Sequence, residues 1–265
     1  MATAAPTLRR SRRPDGPSPN LFVVPAFNEE ANLPRLLADL EARPALFPPG
    51  SRLILVDDGS SDGTVAVARA YRGALPLEVL PLGTNQGPGA AFRAGFATAL
   101  TTGADGALVV TLESDTTSDL EALAEMIARA EAGADLVLAS VHGGGRMLNV
   151  SAPRRILSRG AGLVVRRALD LDARTVSSFF RVYRASILRA GAERFGDDLI
   201  TEDGFACKAE LLAKLAALGA RIEEVAVDLD AHRRAGASKM RLLPTLAGYG
   251  RLVVARRRIR QAARP

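Results

Sequence analysis

The sequence predicts an α/β protein built on a mostly parallel sheet with helices on both faces. Three observations carry that expectation. Short apolar runs alternate with helically spaced apolar segments between residues 21 and 139, the pattern of repeated strand–helix units. Four polar motifs, at residues 25–29, 57–63, 86–89 and 113–115, fall at the carboxyl ends of those runs, which is where ligands sit on such sheets. In the fourth, an apolar run stops at Glu113 and Asp115; residues two apart on an extended chain point the same way, so both carboxylates can converge at a strand end.

Taken in order, residues 21–25 form the first strand, and residues 30–43 a helix with Leu33, Leu36, Leu37 and Leu40 on one face. Residues 53–56 are a second strand and 64–71 a helix; residues 77–80 are a third strand. After the turn Asn85-Gln86-Gly87-Pro88-Gly89 comes a small-residue helix over 90–100. Residues 107–112, 120–132 and 136–139 read as strand, helix and strand. The second half is less regular. It offers a helix over 156–169 bearing several arginines, an amphipathic helix over 205–218, a strand over 222–227 and a basic loop over 232–239.

The chain has 265 residues, 48% of them hydrophobic, and a net charge of +6, enough for one large α/β domain. The charge is concentrated at the ends, with Arg9, Arg10, Arg12 and Arg13 on one side and Arg251, Arg256, Arg257, Arg258, Arg260 and Arg264 on the other. Residues 1–19 lack the apolar core of a signal peptide and read as a disordered basic tail. Cys207 is the single cysteine, so no internal disulfide framework and no zinc ligand set exist. No apolar run reaches the ~18 residues that a membrane span requires. Basic and aromatic residues are not interleaved as in nucleic-acid binders, so no nucleic-acid partner is expected.

Glu113 and Asp115 suit a hard divalent cation such as Mg²⁺ or Mn²⁺, which takes few protein oxygens and leaves room for phosphates; the other reading is a solvated acidic turn capping a helix that starts near Ser118. Asp57 can accept hydrogen bonds from a nucleobase or ribose, and Phe27 and Glu29 can address the same base; capping of backbone donors and the helix dipole is the competing account. The 85–89 turn lacks the lysine of a P-loop, and its glycines can let backbone approach a ligand. Glu202 and Asp203 read either as caps for the following helix or, in Asp203, as a general base.

The ordered series Val-Val-Pro-Ala-Phe-Asn-Glu-Glu, Leu-Val-Asp-Asp-Gly-Ser-Ser-Asp-Gly-Thr, Asn-Gln-Gly-Pro-Gly-Ala-Ala and Leu-Glu-Ser-Asp resembles the family 2 glycosyltransferases with the GT-A fold. The segments 155–161, 177–184, 206–212, 222–225 and 234–240 are similar to the dolichyl- and polyprenyl-phosphate mannose synthase branch. The resemblance spans residues 20–243. It implies that Pro25, Ala26, Phe27, Glu29, Asp57, Gln86, Gly87 and Ser114 help hold a nucleotide-sugar, with Glu113 and Asp115 at the metal position. It further implies that Arg154, Arg155, Arg234, Ser238 and Lys239 engage donor diphosphate or acceptor phosphate. Glu113 replaces the usual first Asp, and Ser140-Val141 replaces a Ser-Arg pair, leaving Arg146 as a substitute cation. The Asp-x-Thr-Ser-Gly-Phe pattern reads Thr175-Val176-Ser177-Ser178-Phe179-Phe180.

The expected organisation is a tail over 1–19, a GT-A domain over 20–240 and a basic amphipathic helix over 241–265. In that helix Leu242, Leu246, Tyr249 and Val253 form a stripe, widened by Leu252 and Ile259, for an anionic leaflet or for a protein surface. The expected activity is inverting, metal-dependent transfer of a sugar from a nucleotide-sugar to a polyprenyl phosphate, with Asp115 and Arg155 in the catalytic machinery. The alternatives are transfer to a soluble hydroxyl acceptor with Asp203 as base, and a non-catalytic nucleotide-sugar-binding protein. The expected location is the cytoplasm, with peripheral contact to the inner face of the membrane where a lipid acceptor would lie.

Overall fold

The computed structural model describes residues 18–102, 106–150, 152–236 and 239–264, with backbone alone for 152–158. Of the tail expected to be disordered over 1–19, residues 1–17 lie outside them. Ser18 is instead buried, and the Pro19 carbonyl accepts the Leu108 N–H at 3.0 Å, so the ordered domain begins before β1.

The first half follows the predicted alternation closely: β1 (Asn20–Ala26), α1 (Leu33–Glu41), β2 (Arg52–Asp57), α2 (Thr64–Ala70), β3 (Leu77–Pro81), α3 (Pro88–Thr102), β4 (Leu108–Thr111), α4 (Leu123–Glu131) and β5 (Leu136–Ser140). The second half contains β6 (Met147–Leu148), α5 (Ala152–Leu169), β7 (Arg181–Arg184), α6 (Ala185–Phe195), α7 (Cys207–Ala217), β8 (Ile222–Ala226), β9 (Leu229–Asp230) and α8 (Leu242–Ala262). The described strands form a seven-stranded sheet in the order β3-β2-β1-β4-β7-β5-β8, with β6 and β9 as a separate pair. β7 runs antiparallel to both β4 and β5, and every other pairing is parallel.

Alternation along the strands builds two cores. Leu21, Val23, Ile54, Val56 and Val109 point to one face, against Phe92, Phe96 and the residues of α7. Phe22, Val24, Leu53, Leu55 and Val110 point to the other, against Leu33, Leu36, Leu37, Leu40 and Met126. This is the period-2 consequence of a sheet buried on both sides. The chain winds outward from β1 through β2 to β3, then α3 returns it across β1 to β4. That reversal opens a crevice beyond the carboxyl ends of β1, β2 and β4.

Several expectations need correction. Residues 114–118 are all buried, and the helix that follows starts at Leu123, so the segment after Glu113 is not a solvated cap. β7 and α6 were not expected as regular elements. β7 is four residues long and carries Arg181, which is only 1% exposed; its charge breaks the apolar run by which a buried strand is recognised. Three backbone carbonyls satisfy that guanidinium, with Nε donating to Ser178 (2.8 Å), Nη1 to Lys208 (2.8 Å) and Nη2 to Val176 (3.1 Å). α7 was expected to be amphipathic, but every residue from Cys207 to Leu215 is buried. Its Lys214 and Glu210 pair with each other, and Glu210 also accepts the backbone N–H groups of Thr201 (2.9 Å) and Glu202 (2.8 Å).

The glycines of the 85–89 turn serve the chain's own packing. Gly87 has φ +92°, and a Cβ on Gly89 would lie 2.0 Å from the carbonyl oxygen of Glu202; the Gly89 N–H donates to the Asp203 carbonyl at 2.8 Å. Gly89→Ala is therefore expected to cost about 2–3 kcal/mol through overpacking, lowering the thermal midpoint by roughly 4–12 °C. Gly250, on the open face of α8, meets nothing within 4 Å, so Gly250→Ala should raise stability by about 0.5–1 kcal/mol. Calorimetry of the two variants checks both signs.

Candidate active site

The crevice is a cavity of about 670 Å³. Strand ends supply one side of it, through Pro25, Ala26, Phe27 and Glu29 after β1, Asp58 after β2 and Leu112 to Asp115 after β4. Asn85, Gly87 and Pro88 add a rim, and Phe179, Gly204 and Phe205 an apolar wall. Arg234, Lys239, Met240, Arg241, Pro244 and Thr245 close the far side. The sequence-identified residues Pro25, Ala26, Phe27, Glu29, Gly87, Glu113, Ser114, Asp115, Arg234 and Lys239 thus line one space.

Glu113 opens onto the cavity with little water around it. Burial, and then the neighbouring Asp115 carboxylate, push its carboxyl up to about 7, against the opposing pull of Lys208 and Arg234. Lys208, on α7, is 6% exposed. Its Nζ lies 3.9 Å from the ring centroid of Phe179 and 5.2 Å from that of Phe205. Burial pulls the ammonium down to about 8, with Glu113 opposing. Sequence reasoning missed Lys208, since a lysine in a helical pattern reads as a solvated face.

Asp115 is fully engaged. Its Oδ1 accepts the Thr117 N–H at 3.1 Å and the Thr117 hydroxyl at 2.7 Å, while Oδ2 accepts Arg234 Nε at 2.6 Å and pairs with Arg234 Nη2. Thr116 between them has φ +64°, a strained left-handed conformation for a β-branched residue, held by its hydroxyl donating to the Arg233 carbonyl at 2.8 Å. Asn28, between Phe27 and Glu29, also has positive φ (+53°). Glu29 pairs with Lys239 and accepts from Asn32 Nδ2 at 2.6 Å.

Other expected residues sit elsewhere. Asp57 is buried but not among the lining residues; its carboxylate takes the Ser60 N–H at 3.2 and 3.3 Å. Its neighbour Asp58 lines the cavity, accepting the N–H groups of Gln86 (2.7 Å) and Gly87 (2.8 Å). Burial raises the Asp58 carboxyl, and those two donors oppose the rise. Gln86 thus contributes backbone to the rim, not a lining side chain. Asp203 points to Arg93 at 2.6 Å and Glu202 to Arg251 at 2.6 and 2.7 Å, so neither carboxylate caps α7. Arg146 is exposed and pairs with Asp228 at 2.6 Å. Ser238 and the side chains of Arg154 and Arg155 lie outside the described residues.

Among the described residues no three His, Cys, Asp or Glu side chains converge on one point. Glu113 and Asp115 remain as two hard oxygen donors beside each other, mutually repelling in a poorly solvated wall. That donor set fits a Mg²⁺ or Mn²⁺ ion completed by phosphate and water oxygens.

The comparisons agree with this architecture. The model of the family described as Glycosyl transferase family 2 matches residues 21–191. The chain is 34% identical over 222 residues to an undecaprenyl-phosphate mannosyltransferase of Micrococcus luteus, covering 83% of this chain and 86% of that one. It is 28% identical to a polyprenol monophosphomannose synthase of Mycolicibacterium smegmatis, over 90% and 83% of the two chains. Among solved structures it resembles Mycobacterium tuberculosis glucosyl-3-phosphoglycerate synthase in complex with Mn²⁺, uridine diphosphate and glucosyl-3-phosphoglycerate, with TM-score 0.59 and 20% identity, over 92% and 80% of the chains. That likeness establishes the shared GT-A fold. With the family model spanning all four strand-end motifs, the chain belongs to glycosyl transferase family 2 and is a glycosyltransferase.

Proposed function

We propose that the protein transfers a sugar from a nucleotide-sugar to a polyprenyl phosphate, with inversion at the anomeric carbon. One observation carries the reading: a single cavity sets the carboxylates Glu113 and Asp115 against Arg234, Lys239 and Arg241, cations suited to phosphates. The two relatives named above, one an undecaprenyl-phosphate mannosyltransferase and the other a polyprenol monophosphomannose synthase, support the acceptor class. The M. tuberculosis neighbour holds Mn²⁺ and uridine diphosphate, which supports the donor class and a divalent cation.

In this reading Pro25, Ala26, Phe27 and Glu29 take the nucleoside, with Asp57 holding the turn beside it and Gln86, Gly87 and Ser114 shaping the rim. Arg234 and Lys239 orient the diphosphate. Arg155, with Arg154, Ser238 and Arg146, is assigned to the phosphates on the resemblance alone. Glu113 and Asp115 would hold a Mg²⁺ or Mn²⁺ ion, which would supply neutralising charge for the departing nucleoside diphosphate. An acceptor phosphate oxygen attacks the anomeric carbon in line, the bond to the diphosphate oxygen breaks, and its electron pair leaves with the nucleoside diphosphate. Leu112, Phe179, Phe205 and Met240 wall the reacting centre against water.

A phosphate acceptor is already an anion and needs no base. The Asp203 carboxylate is paired to Arg93 and is not a lining group, which favours this acceptor over a hydroxyl. Asp203→Asn should then change the rate of transfer to a polyprenyl phosphate by less than about 10-fold, whereas loss of a general base costs on the order of 10²-fold or more. Initial rates with a short polyprenyl phosphate decide between the two acceptors.

α8 bears on the lipid side of the reading. Its anticipated stripe divides: Tyr249, Leu252 and Ile259 are buried, on a helix that packs against α5 and α7, while Leu242 is 43% exposed. The outward face instead carries Leu243 (79% exposed), Ala247, Gly250 and Val254 (84% exposed), followed by the exposed Arg257 and Arg258. No described helix is long and apolar enough to cross a membrane. We assign this outer face to peripheral contact with an anionic leaflet, each arginine there worth ~1 kcal/mol. Co-sedimentation with anionic vesicles at low salt should be lost in Leu243→Glu/Val254→Glu; unchanged sedimentation removes the assignment.

The metal assignment is tested by Asp115→Asn, which retains the shape and the Thr117 contacts. Release of nucleoside diphosphate should fall by at least about 10²-fold, while circular dichroism at the assay temperature stays that of a folded protein. The melting point should drop, because Arg234 loses its carboxylate partner. Full turnover of the parent protein in excess EDTA would show that Glu113 and Asp115 serve another purpose.

A further inference from the structure

Asp115 cannot take a cation as it stands, because Arg234 already occupies it. Oδ2 receives Nε of Arg234 at 2.6 Å together with Nη2, and Oδ1 is committed to Thr117. The guanidinium therefore puts positive charge on one of the two carboxylates assigned to the metal.

The backbone that carries Arg234 is tied down separately. Ala235 N–H donates to Asn32 Oδ1 at 2.8 Å, and Asn32 Nδ2 returns a bond to the Ala235 carbonyl at 3.1 Å. Arg233 pairs with Asp39 at 3.0 Å, and its carbonyl accepts from Thr116. The neighbours of Arg234 are thus anchored to α1 and to the 113–117 turn, so its side chain can change partners without the segment moving away. That side chain is 22% exposed and lines the cavity. Lys208 has no such freedom, since it is buried beneath Phe179 and Phe205.

A guanidinium and a divalent cation compete for a carboxylate oxygen, and a diphosphate offers the guanidinium a second, bidentate anion of higher charge. We propose that Arg234 is an exchange residue: without ligand it holds Asp115 and excludes the metal, and an arriving diphosphate draws it away and frees Oδ2. Metal and nucleoside diphosphate then bind with positive coupling, which is reciprocal by linkage. The inference rests on the nucleotide-sugar and metal reading of the cavity above, and adds an order of assembly to it. Arg234 acts here as a positioning residue, with the metal site as its readout.

The test is Mn²⁺ binding to the full chain, followed by electron paramagnetic resonance, with and without uridine or guanosine diphosphate. The parent protein should bind Mn²⁺ weakly alone and more tightly with a nucleoside diphosphate. Arg234→Gln should tighten nucleotide-free Mn²⁺ binding on the order of 10-fold and shrink the enhancement by the diphosphate by a similar factor. Arg234→Lys, which keeps charge without the fork, should fall between, and it carries the test if the glutamine variant melts early. Arg241→Gln, which removes the same unit of charge from the cavity lining but does not pair with Asp115, should tighten nucleotide-free Mn²⁺ binding by much less than Arg234→Gln. Equal tightening in the two variants would reduce the effect to net charge and overturn the exchange. If Arg234→Gln binds free Mn²⁺ no better than the parent while diphosphate-assisted binding persists, the exchange is overturned and the functional reading stands. If no form binds Mn²⁺ under any condition, both are overturned.

Discussion

The crowding of carboxylates at the carboxyl edge of the sheet is the constraint to which much of the molecule is fitted. Glu29, Asp58, Glu113 and Asp115 line one poorly hydrated cavity. A buried charge without a partner costs several kcal/mol, so each must be answered. Backbone N–H groups of the 86–87 rim answer Asp58. Lys239 answers Glu29 and Arg234 answers Asp115. Lys208, on a helix buried from Cys207 to Leu215, opposes the charge of Glu113. Three of these four answers come from beyond residue 200. On this view the second half of the chain closes the cavity and also supplies the charge that lets the first half keep its carboxylates there.

That division explains what could be read from the sequence. Up to residue 140 each strand is a short apolar run and most helices show a leucine or alanine face, so local periodicity suffices. Beyond it, polar groups enter the interior. Arg181 is buried in the middle of the sheet and satisfied by three carbonyls, and α7 buries Lys208, Glu210 and Lys214. Periodicity cannot register a strand whose inward residue is an arginine, nor a helix whose charges face protein. The cavity itself was legible in outline, because strand-end motifs must converge wherever a parallel sheet reverses its order. Its pairings were not, since Asp115–Arg234 and Glu29–Lys239 join residues more than a hundred positions apart. Of the adjacent pair, Asp57 turns to the Ser60 N–H while Asp58 lines the cavity and accepts the Gln86 and Gly87 N–H groups, a difference that adjacency in sequence does not reveal.

The glycines of residues 87 and 89 show the same limit from another side. A turn rich in glycine after a strand suggests backbone approaching a ligand. Here the close neighbour is the 202–203 backbone, at a distance no Cβ would permit. The consequence for function is indirect. Holding residues 202–203 against the rim fixes Gly204 and Phe205 as the cavity wall and sets the start of α7, and with it the position of Lys208. Glu210 adds a second hold by accepting the N–H groups of Thr201 and Glu202.

The placement of α8 follows from that same segment. Glu202 pairs with Arg251, and a Cβ on Gly248 would lie 2.6 Å from that of Ala206, so the middle of α8 is locked to the start of α7. The first turn of α8 therefore reaches the cavity, where Arg241, Pro244 and Thr245 form part of the lining. Leu243, two residues after Arg241 on that same turn, faces outward instead. An apolar surface seated on the outer face of α8 would thus lie within one helical turn of the cavity rim. A polyprenyl chain held in such a surface needs to extend its phosphate only a short way to meet Arg241. Because Glu202 and Gly248 fix that turn, the proposed lipid contact and the proposed phosphate site are tied together by the packing of α8 on α7.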